Sequence, residues 1–292
     1  MNTASALPYQ ELPALPGLLV KALVSPKPGL KEDRGLMKFE RSVSGAVIDP
    51  HRLSVFNRLC GFEGHSGIPL PYYYVLAQRI QLVLLTDRAF PLAIPGLIHI
   101  SNSFRLFEET SPGDTLDLIC RIGEDTAVPA GREFEIVTDF HKHGRKAVEC
   151  RSRFLSRNKK SPSFRKPKSP SLPLDGDRLH MEIAADAGRR YAQASGDYNP
   201  IHLYAWSARL FGFKRPIAQG MYMLSLVTAR LEKDLAWPIN TLTVDYKLPV
   251  YLPCRVELIA NASPPGENWT FEVRSGSDER LHLKGSLSAG AE

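Results

Sequence analysis

The chain lacks the long apolar run that a membrane helix needs. No stretch of about 18 uninterrupted apolar residues occurs among its 292 residues. The longest candidates, 72–85 and 221–231, are broken by Gln78, Arg79, Gln81 and Arg230, so no membrane span is expected. At the start, Met1-Asn-Thr-Ala-Ser-Ala-Leu-Pro8 has no basic region followed by a hydrophobic one, which argues against a secretory signal. Cysteine is scarce, and Cys60, Cys120, Cys150 and Cys254 show no Cys-x-x-Cys spacing. That argues against a disulfide framework and a zinc site, and it fits buried thiols in a reducing, cytoplasmic compartment. Among the histidines only His141 and His143 stand at a metal-like spacing. Alternation along a strand would put both rings on one face, but no third ligand accompanies them, and no metal is expected.

Acidic residues are missing from one stretch. Arg157, Lys159, Lys160, Arg165, Lys166 and Lys168 stand within twelve residues without a carboxylate, in a chain whose formal net charge is +6. The remainder is therefore near neutral, which argues against a nucleic-acid partner. The stretch is rich in proline and serine and reads as a linker over 156–175, between an N-terminal domain of 1–155 and a C-terminal domain of 176–292. Its role is solubility and spacing, or attraction for an anionic ligand.

What is present in quantity is apolar residues, 43% of the chain, enough for two domains with real cores. The two halves also share a pattern. Residues 99–118 and 239–258 align at a constant offset, pairing Phe104 with Val244, Leu106 with Tyr246, and Leu116-Asp117-Leu118 with Val256-Glu257-Leu258. Each reads as strand, turn, strand, and each is followed by two further alternating stretches, 133–140 with 147–155 and 269–275 with 281–287. Upstream of each set lies a helix apolar on most faces, 72–85 or 221–231, preceded by a shorter helix, 51–60 or 202–210. A helix of that kind must be surrounded, and a curved antiparallel sheet does so, which gives an α+β class.

The chemistry-bearing residues lie in the second half. Ser195-Gly196-Asp197-Tyr198-Asn199-Pro200-Ile201-His202 places a carboxylate and an imidazole five residues apart. Helical neighbours are three and four apart, so a bend must intervene. Gly196 is suited to close the preceding helix in a left-handed conformation, Asn199 to cap, and Pro200 to take the first helical position. His202 then falls in the first turn of a helix running to Leu210, where the positive helix end disfavours an imidazolium. Further on, Gln219-Gly220-Met221 opens the apolar helix. The backbone N–H of Gly220 can point at a carbonyl oxygen, and its missing side chain leaves room for a substrate. Ser225 and Thr228 either orient the pair or bond back to their own helix.

These motifs resemble the hydratase motif of the MaoC-like family, the (R)-specific enoyl-CoA hydratases and related 3-hydroxyacyl-thioester dehydratases. The resemblance implies a double hot-dog fold, two antiparallel sheets each wrapped around a long central helix. It implies Asp197 and His202 as the catalytic pair, and Gly220, with Asn199 and Gly196, for substrate binding. The reaction would be reversible hydration of trans-2-enoyl thioesters, carried on coenzyme A or an acyl carrier protein, with no cofactor and no metal. Gln219 departs from the family, which usually has His there, and is expected to affect loop anchoring more than catalysis. In the first half Asp49-Pro50-His51 has the wrong spacing and Leu70-Pro-Tyr-Tyr-Tyr74 replaces the helix-opening glycine. That half is expected to shape a tunnel for a medium to long or bulky acyl chain. A hot-dog thioester hydrolase and a non-catalytic acyl-binding subunit stand as alternatives, and self-association into a homodimer stays open.

Overall fold

In a computed structural model the residues described are 12, 15–24, 27, 29, 35–36, 38–65, 67–158, 173–233, 235, 238–263, 268–277 and 279–290. The basic run from Lys159 to Lys168 lies outside them. The helices are α1 (Leu15–Val24), α2 (Pro50–Cys60), α3 (Tyr73–Thr86), α4 (Ala187–Ser195), α5 (Ala205–Leu210) and α6 (Gly220–Glu232). The strands are β1 (Glu40–Val47), β2 (Leu97–Leu106), β3 (Thr115–Val128), β4 (Gly131–Lys142), β5 (Arg145–Arg157), β6 (Asp177–Ile183), β7 (Ile239–Tyr246), β8 (Cys254–Ser263), β9 (Asn268–Ser275) and β10 (Leu281–Ala289). Ser156 and Arg157, read as the start of the linker, still belong to β5. None of the described helices is long and apolar enough to cross a membrane.

The chain divides into two compact units, Met1–Asp49 with Tyr73–Lys166, and Pro50–Tyr72 with Pro167–Glu292. In the first, the antiparallel strand order is β1-β3-β4-β5-β2. Leu116, Leu118, Cys120 and Ile122 alternate inward along β3, as period-two patterning requires. They face α3, which packs on β1, β3, β4 and β5 and buries Val75, Leu76, Ile80, Val83 and Leu84, each worth roughly 1.5–3 kcal/mol for the larger side chains. Tyr73 is a core residue at the helix start, and its hydroxyl lies 2.6 Å from that of Thr110. A chain of polar groups crosses this core: Gln81 Nε2 donates to Ser152 Oγ (3.0 Å), which donates to Asn102 Oδ1 (2.8 Å).

The second unit repeats the plan, with order β6-β8-β9-β10-β7, so each strand corresponds to one of the first unit. Here the central helix is α6, with Met223, Leu224 and Val227 buried. The unit also contains 50–72, a segment that lies in the first half of the sequence. Its helix α2 packs on α4 and α6, and Phe56 meets Tyr72 (ring centroids 5.2 Å) and Tyr191 (6.2 Å), which in turn meets Tyr222 (5.3 Å). Apolar helix faces carry no address label, so a division of the sequence at residues 155 and 176 does not anticipate this membership. Cys60, Cys120 and Cys150 are buried free thiols whose burial raises their pKa, and Cys254 is half-buried, with its pKa raised to about 11.

Candidate active site

Helix α4 ends as its sequence dictates. Gly196 adopts φ 83°, ψ 3°, a left-handed conformation that costs a side-chain-bearing residue free energy, and its N–H donates to the Ala192 carbonyl. The Ser195 hydroxyl donates to the Tyr191 carbonyl (2.8 Å) and accepts from the Asp197 N–H (3.1 Å), holding the next residue close to the helix end. Asp197 Oδ1 accepts from the Asn199 N–H (3.3 Å), and Asn199 Oδ1 from the Ile201 N–H (3.4 Å), two successive Asx turns. Asn199 is thus a cap and Pro200 a first helical residue, as expected. The helix they open differs from the expectation: it is a single 3₁₀ turn, Pro200–His202, with α5 starting separately at Ala205. The Pro200 carbonyl accepts from the Leu203 N–H (3.3 Å), which closes the 3₁₀ turn, and from the Ser207 hydroxyl (2.7 Å), which ties the turn to α5.

The turn delivers the imidazole to the carboxylate. His202 Nε2 lies 3.9 Å from Asp197 Oδ2, and Nδ1 lies 2.7 Å from the Ile217 carbonyl oxygen. A carbonyl only accepts, so Nδ1 carries the proton, and in the neutral ring Nε2 presents its lone pair to the carboxylate. His202 is only 8% exposed, and burial holds its pKa below the usual imidazole value, against the opposing pull of Asp197 and the Ile217 carbonyl. The neutral state was expected from a helix dipole. Desolvation supplies it instead, since a three-residue turn has little dipole of its own.

Gly220 begins α6, and the first N–H groups of a helix have no intrahelical acceptor. The space left by its missing side chain is not open, contrary to expectation: a Cβ there would come within 2.7 Å of Cε1 of Tyr246, whose hydroxyl lies 3.1 Å from Met221 Sδ. Gln219, 2% exposed, donates from Nε2 to the carbonyls of Gly188 (2.9 Å) and Asp197 (3.4 Å), while its buried Oε1 has no partner among the described residues. Ser225 and Thr228 bond back to Met221 (2.7 Å) and Leu224 (2.8 Å) and do not reach the pair. Residues missed in the sequence are therefore Ile217, Tyr246 and Gly188, whereas Gln219 was singled out there for loop anchoring. A Cβ on Gly188 would overlap the His202 carbonyl oxygen. Gly188 alone left a trace, since glycine inside a helix is unfavourable and signals close approach.

Other candidates fall away. His143 has φ 49° and lies in the turn after β4, so it does not share a strand face with His141. A surface concavity of about 510 Å³, lined by Glu182, Ile183, Ala184, Pro253, Cys254 and Arg255, contains neither member of the pair.

Residues 161–274 match the family described as MaoC like domain. The chain is 28% identical over 250 residues to 3-hydroxyacyl-thioester dehydratase X of Mycobacterium tuberculosis (strain ATCC 25618 / H37Rv), covering 84% of this chain and 88% of that one. A crystal structure of HtdX from Mycobacterium tuberculosis superposes with a TM-score of 0.73 at 26% identity, covering 85% of this chain and 99% of the other. A MaoC-like dehydratase from Phytophthora capsici superposes with a TM-score of 0.65 at 15% identity over 94% and 99%, a likeness of fold. The hot-dog architecture expected from the sequence is the one observed.

Proposed function

We propose, on the premise that residues 161–274 form a MaoC-like domain, that the chain reversibly hydrates trans-2-enoyl thioesters to 3-hydroxyacyl thioesters. The name of the mycobacterial relative supports the reaction, and the family resemblance supports the (3R) product. The observation that carries the reading is the facing of two acceptors, His202 Nε2 and Asp197 Oδ2, at 3.9 Å. A water about 2.8 Å from each would donate one O–H to the imidazole and the other to the carboxylate. Its oxygen adds to carbon 3. One proton passes to the base that held it and from there to carbon 2, and the second stays on the new hydroxyl. Atoms and charge balance with one proton moved, so the step calls for no redox group.

The charge that develops on the thioester oxygen needs a donor. The Gly220 N–H at the start of thirteen-residue α6 would supply it, strengthened by the positive helix end. Gly196 and Asn199 shape the turn that presents Asp197. The carrier, coenzyme A or acyl carrier protein, supplies the thiol of the thioester, whose C–S bond stays intact, and takes no part in the proton transfer.

The test follows enoyl-thioester absorbance with crotonyl-CoA and a long-chain 2-enoyl-CoA, for wild type, Asp197→Asn and His202→Ala. Absorbance lost without free thiol, and a fall of roughly 10²–10⁴-fold in either variant, is expected. Thiol release in step with absorbance would make the protein a hydrolase, and activity retained in both variants would remove the pair from the mechanism.

A further inference from the structure

The buried side of residues 197–211 holds the pair; its outer side is unlike an ordinary surface. Eight large apolar side chains stand well exposed among the described residues, and five of them, Tyr198, Tyr204, Trp206, Leu210 and Phe211, fall in these fifteen positions. Trp206 is 67% and Leu210 75% exposed, while α5 turns small Ser207 and Ala208 inward. That is the reverse of the usual surface-helix pattern, and a clustered apolar patch of this kind marks an interaction site. Tyr204 and Trp206 stack at 6.3 Å, and the Arg189 guanidinium covers Tyr204 at 5.1 Å.

Charge around the patch is one-sided. Between 187 and 215 stand Arg189, Arg190, Arg209, Lys214 and Arg215 against the single carboxylate of Asp197. Arg190, Arg209, Lys214 and Arg215 are exposed, and among the described residues no carboxylate forms an ion pair with them. Several cations elsewhere are matched, as in Arg151 with Glu149 (2.6 Å), Lys146 with Asp139 (2.8 Å) and Arg178 with Glu257 (3.0 Å), while Arg58, Arg88 and Lys284 stand singly among the described residues; four unmatched cations gathered beside exposed apolar side chains distinguish this face. Unmatched cations around exposed aromatic and aliphatic side chains complement a partner that is acidic and presents apolar side chains of its own.

We infer that this face docks an acidic acyl carrier protein whose pantetheine thioester reaches Asp197 and His202. The inference rests on the hydratase reading and selects its carrier. Two features favour a protein over the nucleotide of coenzyme A. The cations are distributed over α4, α5 and 211–215, wider than one nucleotide's phosphates, and Trp206 and Leu210 project outward, as anchors for a partner's surface do.

The test uses the full chain with two double variants, Trp206→Ser/Leu210→Ser and Arg209→Glu/Lys214→Glu, and the crotonyl group on three carriers: a holo acyl carrier protein, coenzyme A and pantetheine. Thermal melting confirms that each variant is folded. Expected for both is a loss of at least tenfold in kcat/KM on the carrier protein, entering through KM, with crotonyl-pantetheine changed less than twofold. Raising salt from about 0.1 M to 1 M, which shortens the screening length from about 10 Å to 3 Å, weakens the carrier-protein reaction selectively. Unchanged carrier-protein kinetics overturns the inference. So does an equal loss on crotonyl-CoA with pantetheine spared, which would make the face a nucleotide site. A wild-type dimer that the variants dissociate, with carrier kinetics unchanged, would make it a self-association face. If wild type turns over none of the three, the hydratase reading fails by itself. Titration of fluorescent holo carrier protein then decides docking, with at least tenfold weaker binding of the variants expected and equal binding refuting it.

Discussion

Replacing Gly188 by alanine adds one methyl group in the first turn of α4, on the side that meets the 3₁₀ turn of Pro200–His202. The new Cβ would overlap the His202 carbonyl oxygen and lie 3.1 Å from its carbon and 3.4 Å from its Cβ, all parts of one nearly rigid segment. Backbone cannot swing aside as a side-chain tip can, so α4 and the 3₁₀ turn must separate by about 1 Å, a misplacement worth roughly 10²-fold in rate. The same movement pulls the Gly188 carbonyl from Gln219 Nε2, now at 2.9 Å, and so loosens the tie to Asp197. Overpacking costs about 1–3 kcal/mol, while alanine in a helix returns about 0.5–1 kcal/mol, so the net is destabilising. Gly17 in α1, with nothing within 4 Å of its would-be Cβ, has only the gain. Urea midpoints and crotonyl-CoA kinetics of Gly188→Ala and Gly17→Ala therefore move apart: the first loses stability and about two orders in kcat, and the second gains stability at constant kcat. A Gly188→Ala protein with wild-type kcat and a raised midpoint would refute the packing argument.

Three more outcomes are expected. Because burial lowers the His202 pKa below 6.5, the ring is neutral at pH 7 and able to accept a proton, as the proposed hydration requires. Hydration therefore loses rate only as pH falls below 6.5, and the group's stability contribution, whole above that pH, is lost as pH falls through the folded-state value. An NMR titration of the ring should show this, with a still lower pKa in Asp197→Asn; a value above 6.5 would contradict it. His99, stacked between Tyr74 (5.4 Å) and Phe154 (4.8 Å), has its pKa lowered to about 4 by burial. Between pH 6.5 and 4 it should remove about 3 kcal/mol of stability, and His99→Phe should flatten that part of the stability–pH curve. Gln219→Ala should cost about 1 kcal/mol by removing the buried amide hydrogen bonds to the Gly188 and Asp197 carbonyls. It should also lower kcat about tenfold, a small part of the effect of a misplaced group. Gln219→Glu, which has the same shape without the N–H donors, should fail equally; wild-type activity in it would remove the tie from the mechanism.

Much of the architecture could be read from the chain because it depends on local rules. The aligned strand pairs, 99–118 and 239–258, fall on β2–β3 and β7–β8, and the continuous apolar stretches fall on α3 and α6. The turn that brings Asp197 to His202 was legible for the same reason: a left-handed glycine, two Asx side chains and a proline each act within two to four residues. The first-half segment 50–72 escaped, because α2 is an ordinary amphipathic helix and only packing on α4 and α6 assigns it to the second unit.

What the sequence by itself determined is the pair, its spacing and the bend between them, since the necessary hydrogen bonds close inside the motif. The tertiary structure decided the chemical state of that pair. Ile217, fifteen residues beyond His202, fixes the ring proton on Nδ1; burial keeps the ring neutral; Gln219, twenty-two residues beyond Asp197, holds its backbone; and Tyr246 takes the space beside Gly220. Tautomer, protonation and access depend on which atoms lie within about 3 Å and on how much water is excluded, and those depend on long-range packing rather than on the order of residue types.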